Sequence, residues 1–220
     1  MKKDKAIIFD MDGLLIDSEP LWREVETAVF RSVGVPFMPE MTLQTMGLRC
    51  DEATAYWFTR YPWDGKSPDD VTREIIAGVA AAVREKGAPM PGVHHACAIV
   101  QRMGYASAVA SSSPDAIINA MVERLYLDGL DVLYSAEHEQ RGKPAPDVYL
   151  GAARLLGVSP EHCLAFEDSK KGIQSAKSAG MKCIAVVDPR YSTPDDVASA
   201  DRVLRSLEEV TEEMIEGFLK

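Results

Sequence analysis

The chain has 220 residues, of which 46% are hydrophobic and 26% are charged, as is typical of a globular protein with one domain of ordinary size and room for an insertion. Its formal net charge of -10 argues against nucleic acid or an anionic membrane as the main partner, but it permits an anionic metabolite. No apolar stretch is long enough to span a bilayer, and the apolar run near the start is too short for a signal peptide. The four cysteines include no CxxC pair, which predicts free thiols in a reducing cytoplasm.

The first predicted element is a short apolar run that leads into Asp10 and Asp12, with Gly13 directly after them. A short apolar run bounded by a turn signal predicts a buried strand. Because alternate side chains of an extended chain point to the same side, both carboxylates would project into one cleft at the strand's end. Two facing carboxylates repel each other unless a cation or a shared proton intervenes, which favours a Mg2+ site. An acidic turn after a strand is the alternative.

Helical spacing dominates the next segment of the chain. Apolar residues recur every three or four positions, and Pro20 and Pro68 suit the first turns of helices. Three helices are predicted, at residues 20–33, 51–61 and 67–86. Because no strand pattern interrupts residues 18–86, we expect a helical insertion after the first strand.

Strand and helix patterns alternate after a linker rich in proline and glycine at residues 87–92. Helices are predicted at residues 94–103, 114–125, 147–156 and 169–179, and strands at 105–110, 132–135, 163–166 and 182–187. Such alternation predicts an α/β fold, a Rossmann-like doubly wound parallel sheet with helices on both faces. In these folds the site lies beyond the carboxyl ends of the strands, where the strand order reverses.

Polar residues follow two of these predicted strands. Ser111 and Ser112 stand before a helix, where hydroxyls and free backbone N–H groups can bind phosphate, although a plain helix cap is an equal alternative. Glu167 and Asp168 also stand before a helix, and they could either hold a metal ion or cap that helix.

Two basic residues are further candidates. Lys143 lies in a loop between residues that break secondary structure, where a held ammonium group would neutralise a phosphate, although a lone loop lysine is usually solvated. Arg49, within the predicted insertion, is a candidate for binding the substrate's phosphate or hydroxyls, with a surface arginine as the alternative. Trp57 and Trp63 are expected to pack inside the insertion, whereas Trp22 lies near its entry.

Together these residues resemble the haloacid dehalogenase (HAD) superfamily, whose four motifs occur in order as DMDG at residues 10–13, Ser111, Lys143 and the pair Glu167 and Asp168. The likeness covers nearly the whole chain. It implies a core of residues 1–16 and 88–220 and a helical cap of residues 17–87, with hinges near residues 14–17 and 87–91.

Three stretches look most like the bacterial hexitol phosphatases, also called 2-deoxyglucose-6-phosphate phosphatases. They are DGLLIDSEPLW at residues 12–22, GLR at 47–49 and YPW at 61–63. Sugar phosphomutases of the beta-phosphoglucomutase branch are the next most similar group.

The resemblance implies a role for each motif residue. Asp10 would be the nucleophile that forms an aspartyl-phosphate, and Asp12 would be the general acid and base. Ser111, the N–H group of Ser112 and Lys143 would hold the phosphoryl oxygens.

The resemblance also implies a cofactor and a set of cap residues. Mg2+ would be held by Asp10, Asp168 and the backbone carbonyl of Asp12, with Glu167 acting on the metal either directly or through water. Three residues would contact the substrate from the cap: Glu19, Trp22 and Arg49.

The implied function is a cytoplasmic, Mg2+-dependent phosphatase for a small phosphorylated metabolite, of the hexitol phosphate or 2-deoxyglucose 6-phosphate type. The alternative is a sugar phosphomutase. In such mutases a cap histidine helps to position the counterpart of Asp12, whereas here Trp22 stands at that offset and residues 18–86 contain no histidine. The sequence therefore lacks the device that ties Asp12 to a bound sugar, and we expect water to be the acceptor.

A more remote alternative is a non-enzymatic phosphoaspartate signalling domain. Its acidic pair is separate from its phosphoacceptor, so the DxD spacing and the helical insertion argue against it. The sequence decides neither which sugar or polyol phosphate is the substrate nor the oligomeric state, for which a monomer is the simplest expectation.

Overall fold

The computed structural model describes residues 3–219 of the chain. Within this part, the strands are β1 (Ala6–Phe9), β2 (Ala106–Ser111), β3 (Val132–Ser135), β4 (Cys163–Glu167), β5 (Lys182–Val186) and β6 (Arg202–Leu204). The α-helices are α1 (Glu19–Ser32), α2 (Cys50–Arg60), α3 (Pro68–Lys86), α4 (Val93–Met103), α5 (Asp115–Leu125), α6 (Asp147–Leu156), α7 (Lys170–Ser178) and α8 (Glu212–Phe218).

The strands form one parallel sheet in the order β3-β2-β1-β4-β5-β6. Strand β1 is central, since Phe9 pairs with Val109 on one side and with Phe166 on the other. The chain leaves β1 toward β2 and β3 and later returns to its other side through β4, so the strand order reverses beside β1. The predicted doubly wound α/β fold is confirmed, and the reversal predicts a ligand crevice at the carboxyl end of β1.

The sheet has a hydrophobic core on each face. Ile7 and Phe9 point into one core, which α4, α5 and the helical insertion cover, whereas Ala6 and Ile8 point into the other, beneath α6 and α7. This alternation follows from the two-residue period of a strand. Because both faces of the sheet are covered, the carboxyl edge is where polar side chains can meet solvent and ligand.

The segment between β1 and α4 is helical, as predicted. It contains α1, α2 and α3, together with a 3-10 helix at Pro39–Gln44. Its interior is aromatic: the Phe30 and Phe37 rings stack with centroids 4.8 Å apart, and Trp57 lies 5.1 Å from Phe37. Trp63 packs on Phe30 at 6.1 Å. Trp57 and Trp63 therefore stabilise the insertion itself, as expected.

Helix α3 begins where the sequence predicts. The Ser67 side chain accepts a hydrogen bond from the N–H of Asp70, and Pro68 occupies the first turn.

The sequence patterns did not predict two elements near the end of the described chain, β6 and α8. Strand β6 has three residues, two of them exposed, so it lacks an apolar run. Among the described residues, no helix is both long and apolar enough to cross a lipid bilayer.

Candidate active site

Asp10 directly follows the central strand of the sheet. Its backbone N–H continues the β1–β4 pairing by donating to the carbonyl oxygen of Phe166 at 2.9 Å. The chain then makes a tight turn, in which the N–H groups of Leu15 and Ile16 donate to the carbonyl oxygen of Met11. Gly13 has a positive φ of 75° in this turn. The turn holds Asp10 and Asp12 at the carboxyl edge of the sheet.

Lys143 connects two acidic residues that lie on neighbouring strand ends. Its Nζ donates to Asp10 Oδ1 and to Glu167 Oε1, both at 2.6 Å, and to the carbonyl oxygen of Ala110 at 3.3 Å. Lys143 is only 4% exposed. Burial by itself would lower the pKa of Lys143, but the two carboxylates outweigh it and raise that pKa above its ordinary value. Lys143 is therefore a fixed positive charge.

Glu167 is fully buried, and both of its oxygens have hydrogen-bond donors. Oε1 accepts from Lys143 and, at 2.8 Å, from the hydroxyl of Tyr149. Oε2 accepts from the N–H of Asp168 and from the N–H and hydroxyl of Ser169, at 3.1 to 3.2 Å. A Cβ on Gly172 would lie 1.8 Å from Glu167 Oε1, so only glycine leaves room for this carboxylate. Glu167 is therefore held in place by its donors and in turn orients Lys143.

Asp12 receives four hydrogen bonds from side chains. Ser18 and Trp22 donate to Oδ1 at 2.6 and 3.0 Å, and Ser111 and Ser113 donate to Oδ2 at 3.3 and 2.7 Å. The insertion thus contacts Asp12 through the indole N–H of Trp22, a hydrogen bond that the sequence did not predict. Unlike a histidine, this neutral donor cannot gain or lose a charge at physiological pH.

Three carboxylates form a compact acidic group. Oxygens of Asp10, Glu167 and Asp168 all lie within 4.8 Å of one another. Burial raises the pKa of Asp10 to about 8, with Glu167 and Asp12 adding to the rise and Lys143 opposing it. Burial, followed by Asp10 and Glu167, also raises the pKa of Asp168 well above its ordinary value. One lysine does not balance three carboxylates, so the group is suited to bind a cation.

Asp168 reaches this group only because residue 13 is a glycine. A Cβ at Gly13 would lie 2.2 Å from Asp168 Oδ2. The alternative that Asp168 merely caps α7 is not what the structure shows, since the hydroxyl of Ser169 accepts the N–H of Gly172 and performs the capping. An all-oxygen donor set of this kind matches the preference of Mg2+.

A cleft of about 650 Å³, open solvent included, lies above these residues. Most of the site residues identified from the sequence line it: Asp10, Asp12, Glu19, Trp22, Ser111, Ser112, Lys143 and Asp168. Among the described lining residues five are acidic and Lys143 alone is basic. The size suits a small metabolite, and the single lysine suits one phosphate group.

Glu19 approaches Asp12 from the first turn of α1. It is 8% exposed. Burial raises the pKa of Glu19 to about 7, and the nearby charge of Asp12 adds to the rise. Glu19 and Trp22 lie three residues apart on the helix, so both face the cleft.

The insertion closes over the sheet edge through its residues 46–49. Ser112 Oγ donates to the carbonyl oxygen of Gly47 at 3.3 Å, and Lys171 Nζ donates to that of Met46 at 3.2 Å. Ser112 therefore contacts the insertion as well as the cleft. These contacts fix one side of the cleft in a closed arrangement.

Arg49 does not line the cleft, contrary to the expectation from the sequence. Its Nη1 donates to the carbonyl oxygens of Glu139 and Ala136 at 2.7 and 3.4 Å, and its Nη2 donates to Asp51 at 2.8 Å. Its guanidinium thus bridges the insertion and the sheet domain. The physical reason is that the backbone carbonyl oxygens of Glu139 and Ala136 and the carboxylate of Asp51 take up the donors of its guanidinium.

The sequence reasoning missed several residues of this region, among them Ser18, Glu26, Thr42, Ser113 and Tyr149. Glu26 and Thr42 line the cleft from the insertion. A signal existed for Glu26, because it follows Trp22 by four residues and so shares its helix face. No sequence signal singles out Tyr149, since a tyrosine in the first turn of a helix has many roles.

Known proteins of one family resemble this chain along most of its length. The family model described as haloacid dehalogenase-like hydrolase matches residues 7–186. The chain belongs to this family. The resemblance seen in the four motifs is thereby confirmed.

Individual relatives of this hydrolase have informative names. Hexitol phosphatase B of Escherichia coli (strain K12) is 41% identical over 208 residues, which cover 94% of each chain. A phosphorylated carbohydrates phosphatase of Thermotoga maritima is 32% identical over 181 residues, which cover 82% of this chain and 83% of that protein. The crystal structure of beta-phosphoglucomutase from Clostridium difficile has a TM-score of 0.84 at 20% identity, covering 98% of this chain and 96% of that chain. This last likeness concerns the fold alone.

Proposed function

We propose that the protein is a Mg2+-dependent phosphatase that hydrolyses small sugar or polyol phosphates through an aspartyl-phosphate on Asp10. The observation that carries this proposal is the arrangement of Lys143, which holds Asp10 from one side at 2.6 Å while Asp168 lies within 4.8 Å. The names of the hexitol and carbohydrate phosphatases that resemble the chain support the substrate class.

The metal would be held by Asp10, Asp168 and the backbone carbonyl of Asp12. The oxygen donor set and the raised pKa values of Asp10 and Asp168 support this assignment. Both oxygens of Glu167 already have donors, so we propose that Glu167 acts on the metal through water. Bound Mg2+ would neutralise charge on the transferring phosphoryl group.

In the first step, a carboxylate oxygen of Asp10 forms a bond to phosphorus while the bond from phosphorus to the ester oxygen breaks. Asp12 gives a proton to the leaving alcohol. In the second step, a water molecule attacks phosphorus, Asp12 takes its proton, and the bond to Asp10 breaks. Lys143, Ser111 and the N–H of Ser112 hold the phosphoryl oxygens, because phosphoryl transfer depends chiefly on positioning and charge neutralisation.

A specific observation favours a phosphatase over a phosphomutase. A mutase must accommodate a sugar bisphosphate, and a second phosphate needs its own positive partner. Among the described lining residues Lys143 alone is basic, and Arg49 is turned away from the cleft. The site is therefore better suited to transfer the phosphoryl group to water than to a second sugar hydroxyl. Family membership and the helical insertion also disfavour a signalling domain.

The insertion acts as a cap in this proposal, with boundaries at residues 17–87 and a core of residues 1–16 and 88–220. Hydrogen bonds from the Asp17 N–H to the Ala88 carbonyl and from the Met90 N–H to the Leu15 carbonyl pair the two connecting segments. These paired segments are suitable hinges for opening and closing. Residues 1, 2 and 220 lie outside the described part of the chain.

We also propose a cytoplasmic location and a monomeric enzyme that acts without nucleic acid or membrane partners. All four cysteines are free, which suits a reducing compartment. The closed cleft is built within one chain.

The test is phosphate release from a panel of sugar and polyol monophosphates, with Mg2+ and with a chelator. We expect release from several hexose or hexitol phosphates only with Mg2+, and none from Asp10→Asn, whose amide is a poor nucleophile. Asp64→Asn, an exposed substitution in the insertion, is the matched control and should behave as wild type. Turnover by Asp10→Asn near the wild-type rate would overturn the mechanism.

A further inference from the structure

Two buried polar groups on the insertion side of the cleft have no partner. Five buried side-chain polar atoms lack a hydrogen bond among the described residues, and two of them, Glu26 Oε2 and Thr42 Oγ1, belong to residues that line the cleft. Glu26 is 4% exposed and Thr42 is 5% exposed. Burying a polar group without a partner costs free energy, so such groups usually pair with another protein group, an ordered water or a ligand.

Glu167 is a buried carboxylate whose hydrogen bonds are all supplied by groups of the protein itself. Both of its oxygens accept hydrogen bonds, from Lys143, Tyr149 and the start of α7. Glu26 is almost as buried, yet its Oε2 lacks a hydrogen-bond partner among the described residues, and the Thr42 hydroxyl beside it only moderates the rise in its pKa. The contrast indicates that Glu26 is held ready for a group that enters the cleft.

The position of Glu26 relative to the reacting groups follows from helix geometry. Glu19, Trp22 and Glu26 follow one another at three- and four-residue spacing, so they share a face of α1. Trp22 donates to Asp12, the proposed general acid. Glu26 lies one helical turn further along, roughly 6 Å from Trp22 in rise. It is therefore placed to meet the carbon chain of a substrate whose phosphate lies at Asp10.

The chemistry of the pair selects hydroxyl groups. Burial raises the pKa of Glu26 to about 8, with the hydroxyl of Thr42 opposing and Glu19 adding to the rise. A neutral carboxyl and a threonine hydroxyl each donate and accept, as the hydroxyls of a polyol do. A phosphate would need a positive partner, and an ammonium group would need a stably ionised carboxylate. Two further titratable groups lie near Glu26: the carboxyl of Glu19, and the thiol of Cys50, whose pKa burial raises above its ordinary value.

We propose that Glu26 and Thr42 form a hydroxyl-binding subsite, which recognises the polyhydroxylated carbon chain of the phosphate ester and sets the preference for sugar or polyol substrates. This inference rests on the proposed phosphatase function. It identifies the carbon chain as the part of the substrate that the insertion binds. A subsite built to hydrogen-bond a hydroxyl discriminates strongly against an analogue that lacks it, because its own buried groups then stay unpaired.

The test compares two esters that share one phosphate and six carbons, a hexitol 6-phosphate and n-hexyl phosphate. The variants are Glu26→Leu and Thr42→Val, which keep size but remove hydrogen bonding, and Glu26→Gln, which keeps both a donor and an acceptor. Thr27→Val is the matched control, because Thr27 also has a buried, unpartnered hydroxyl but does not line the cleft. Thermal unfolding would establish that each variant is folded.

We expect Glu26→Leu and Thr42→Val each to lower kcat/KM for the hexitol phosphate by about tenfold, the size of one lost hydrogen bond. The kcat/KM values for hexyl phosphate should change less than about twofold by the same reasoning, because this ester has no hydroxyl groups on its carbon chain. Glu26→Gln should retain most of the hexitol activity, and Thr27→Val should match wild type with both esters.

Equal losses with both esters would show that Glu26 and Thr42 only support the fold, and unchanged values with both would remove them from the site. Either result overturns the subsite but leaves the phosphatase intact. If wild type released no phosphate from any ester of the broader panel, the proposed function would fail instead.

A binding measurement separates recognition from turnover. In the Asp10→Asn background, calorimetry should show that adding Glu26→Leu weakens binding of the hexitol phosphate and leaves that of hexyl phosphate unchanged. Equal affinity of the single and double variants for the hexitol phosphate would contradict the subsite.

Discussion

At the scale of single residues, the four hydrogen bonds that converge on Asp12 determine what Asp12→Asn should do. Asparagine keeps an oxygen that can accept from Ser18 and Trp22, so the fold should persist. It cannot transfer a proton, and kcat should fall by about 10²- to 10⁴-fold. Rapid quenching should reveal aspartyl-phosphate when the second step is the slower one. A kcat equal to wild type would remove Asp12 from acid–base catalysis.

Asp168 supplies a second prediction at this scale. Asp168→Asn keeps the shape of the side chain but removes a charge from the acidic group of three. The Mg2+ concentration for half-maximal phosphate release should rise by about tenfold or more. Asp64→Asn, far from these carboxylates in an exposed position, serves as the control. An unchanged Mg2+ dependence would show that Asp168 is not a metal ligand.

Glu26 should make stability fall as the pH rises. Its pKa is raised from 4.5 to about 8 in the folded protein, so the folded state holds a proton that the unfolded state has released between these values. The stability that this group contributes is complete below about pH 4.5 and declines as the pH approaches 8. The difference amounts to at most a few kcal/mol, at about 1.4 kcal/mol per pKa unit.

The measurement is the free energy of unfolding of wild type and Glu26→Gln by denaturant at several pH values from 5 to 8.5, without Mg2+. Glutamine stays neutral, so the variant should gain stability relative to wild type as the pH rises. Glu24→Gln, two residues earlier and exposed, is the control and should track wild type. If the free energies of unfolding of wild type and Glu26→Gln differed by a constant amount across this pH range, the raised pKa of Glu26 would be contradicted.

At the scale of secondary-structure elements, long periodic segments were predictable and short ones were not. The predicted third helix coincides with α3, because Ser67, Pro68 and a regular apolar face all agree. Strand β6 and helix α8 were missed, since three and seven residues carry too little periodicity. Their positions depend on tertiary packing: Leu204 is buried beside β5, and Ile215 is buried near α4.

The candidate site divides in the same way. Most of the motif residues were predictable because they lie at or just after the ends of strands, and parallel strands bring their carboxyl ends to one edge; Lys143, in a loop, is the exception. The residues of the insertion were less predictable. Trp22 was assigned to the cleft, but its hydrogen bond to Asp12 was not anticipated. Arg49 was assigned to the cleft, but its guanidinium donates to carbonyl oxygens about 90 residues away in the chain, a pairing that local sequence patterns do not reveal. Glu26 was overlooked because the apolar spacing of this helix drew attention to its hydrophobic residues alone.

The contacts between the insertion and the sheet domain lead to a prediction for Arg49. Arg49→Ala removes the hydrogen bonds to the carbonyl oxygens of Glu139 and Ala136, so the closed arrangement should be less populated. KM should rise several-fold by this reasoning while kcat changes less. Hydrogen exchange should accelerate at residues 46–49. Arg73→Ala, an exposed change on α3 whose arginine pairs only within its own helix, is the control.

Equal kinetic constants and exchange rates for Arg49→Ala and wild type would show that Ser112 and Lys171 suffice to hold the insertion closed. A rise in KM without faster exchange would indicate instead that Arg49 contacts the substrate, as the sequence suggested.

At the scale of the whole molecule, charge sets how the substrate arrives. The protein carries a formal net charge of -10, and five acidic residues line the cleft against one lysine. A phosphate ester is itself anionic, so long-range electrostatics should oppose its approach. Binding then depends on the local positive charge of Lys143 and of a bound cation. This is the reverse of electrostatic steering, in which opposite charges raise the association rate.

Ionic strength therefore provides a test with a definite sign. Raising it from about 0.01 M to 0.15 M shortens the Debye length from about 30 Å to about 8 Å, which screens the distant acidic residues more than the groups in direct contact with phosphate. At saturating free Mg2+, kcat/KM for a sugar monophosphate should rise over this interval. A variant with two exposed acids replaced, Glu123→Gln with Glu212→Gln, should show a smaller rise because its net charge is less negative. A steady fall in kcat/KM with salt would mean that local attraction by Lys143 and the bound cation outweighs the net charge even at long range.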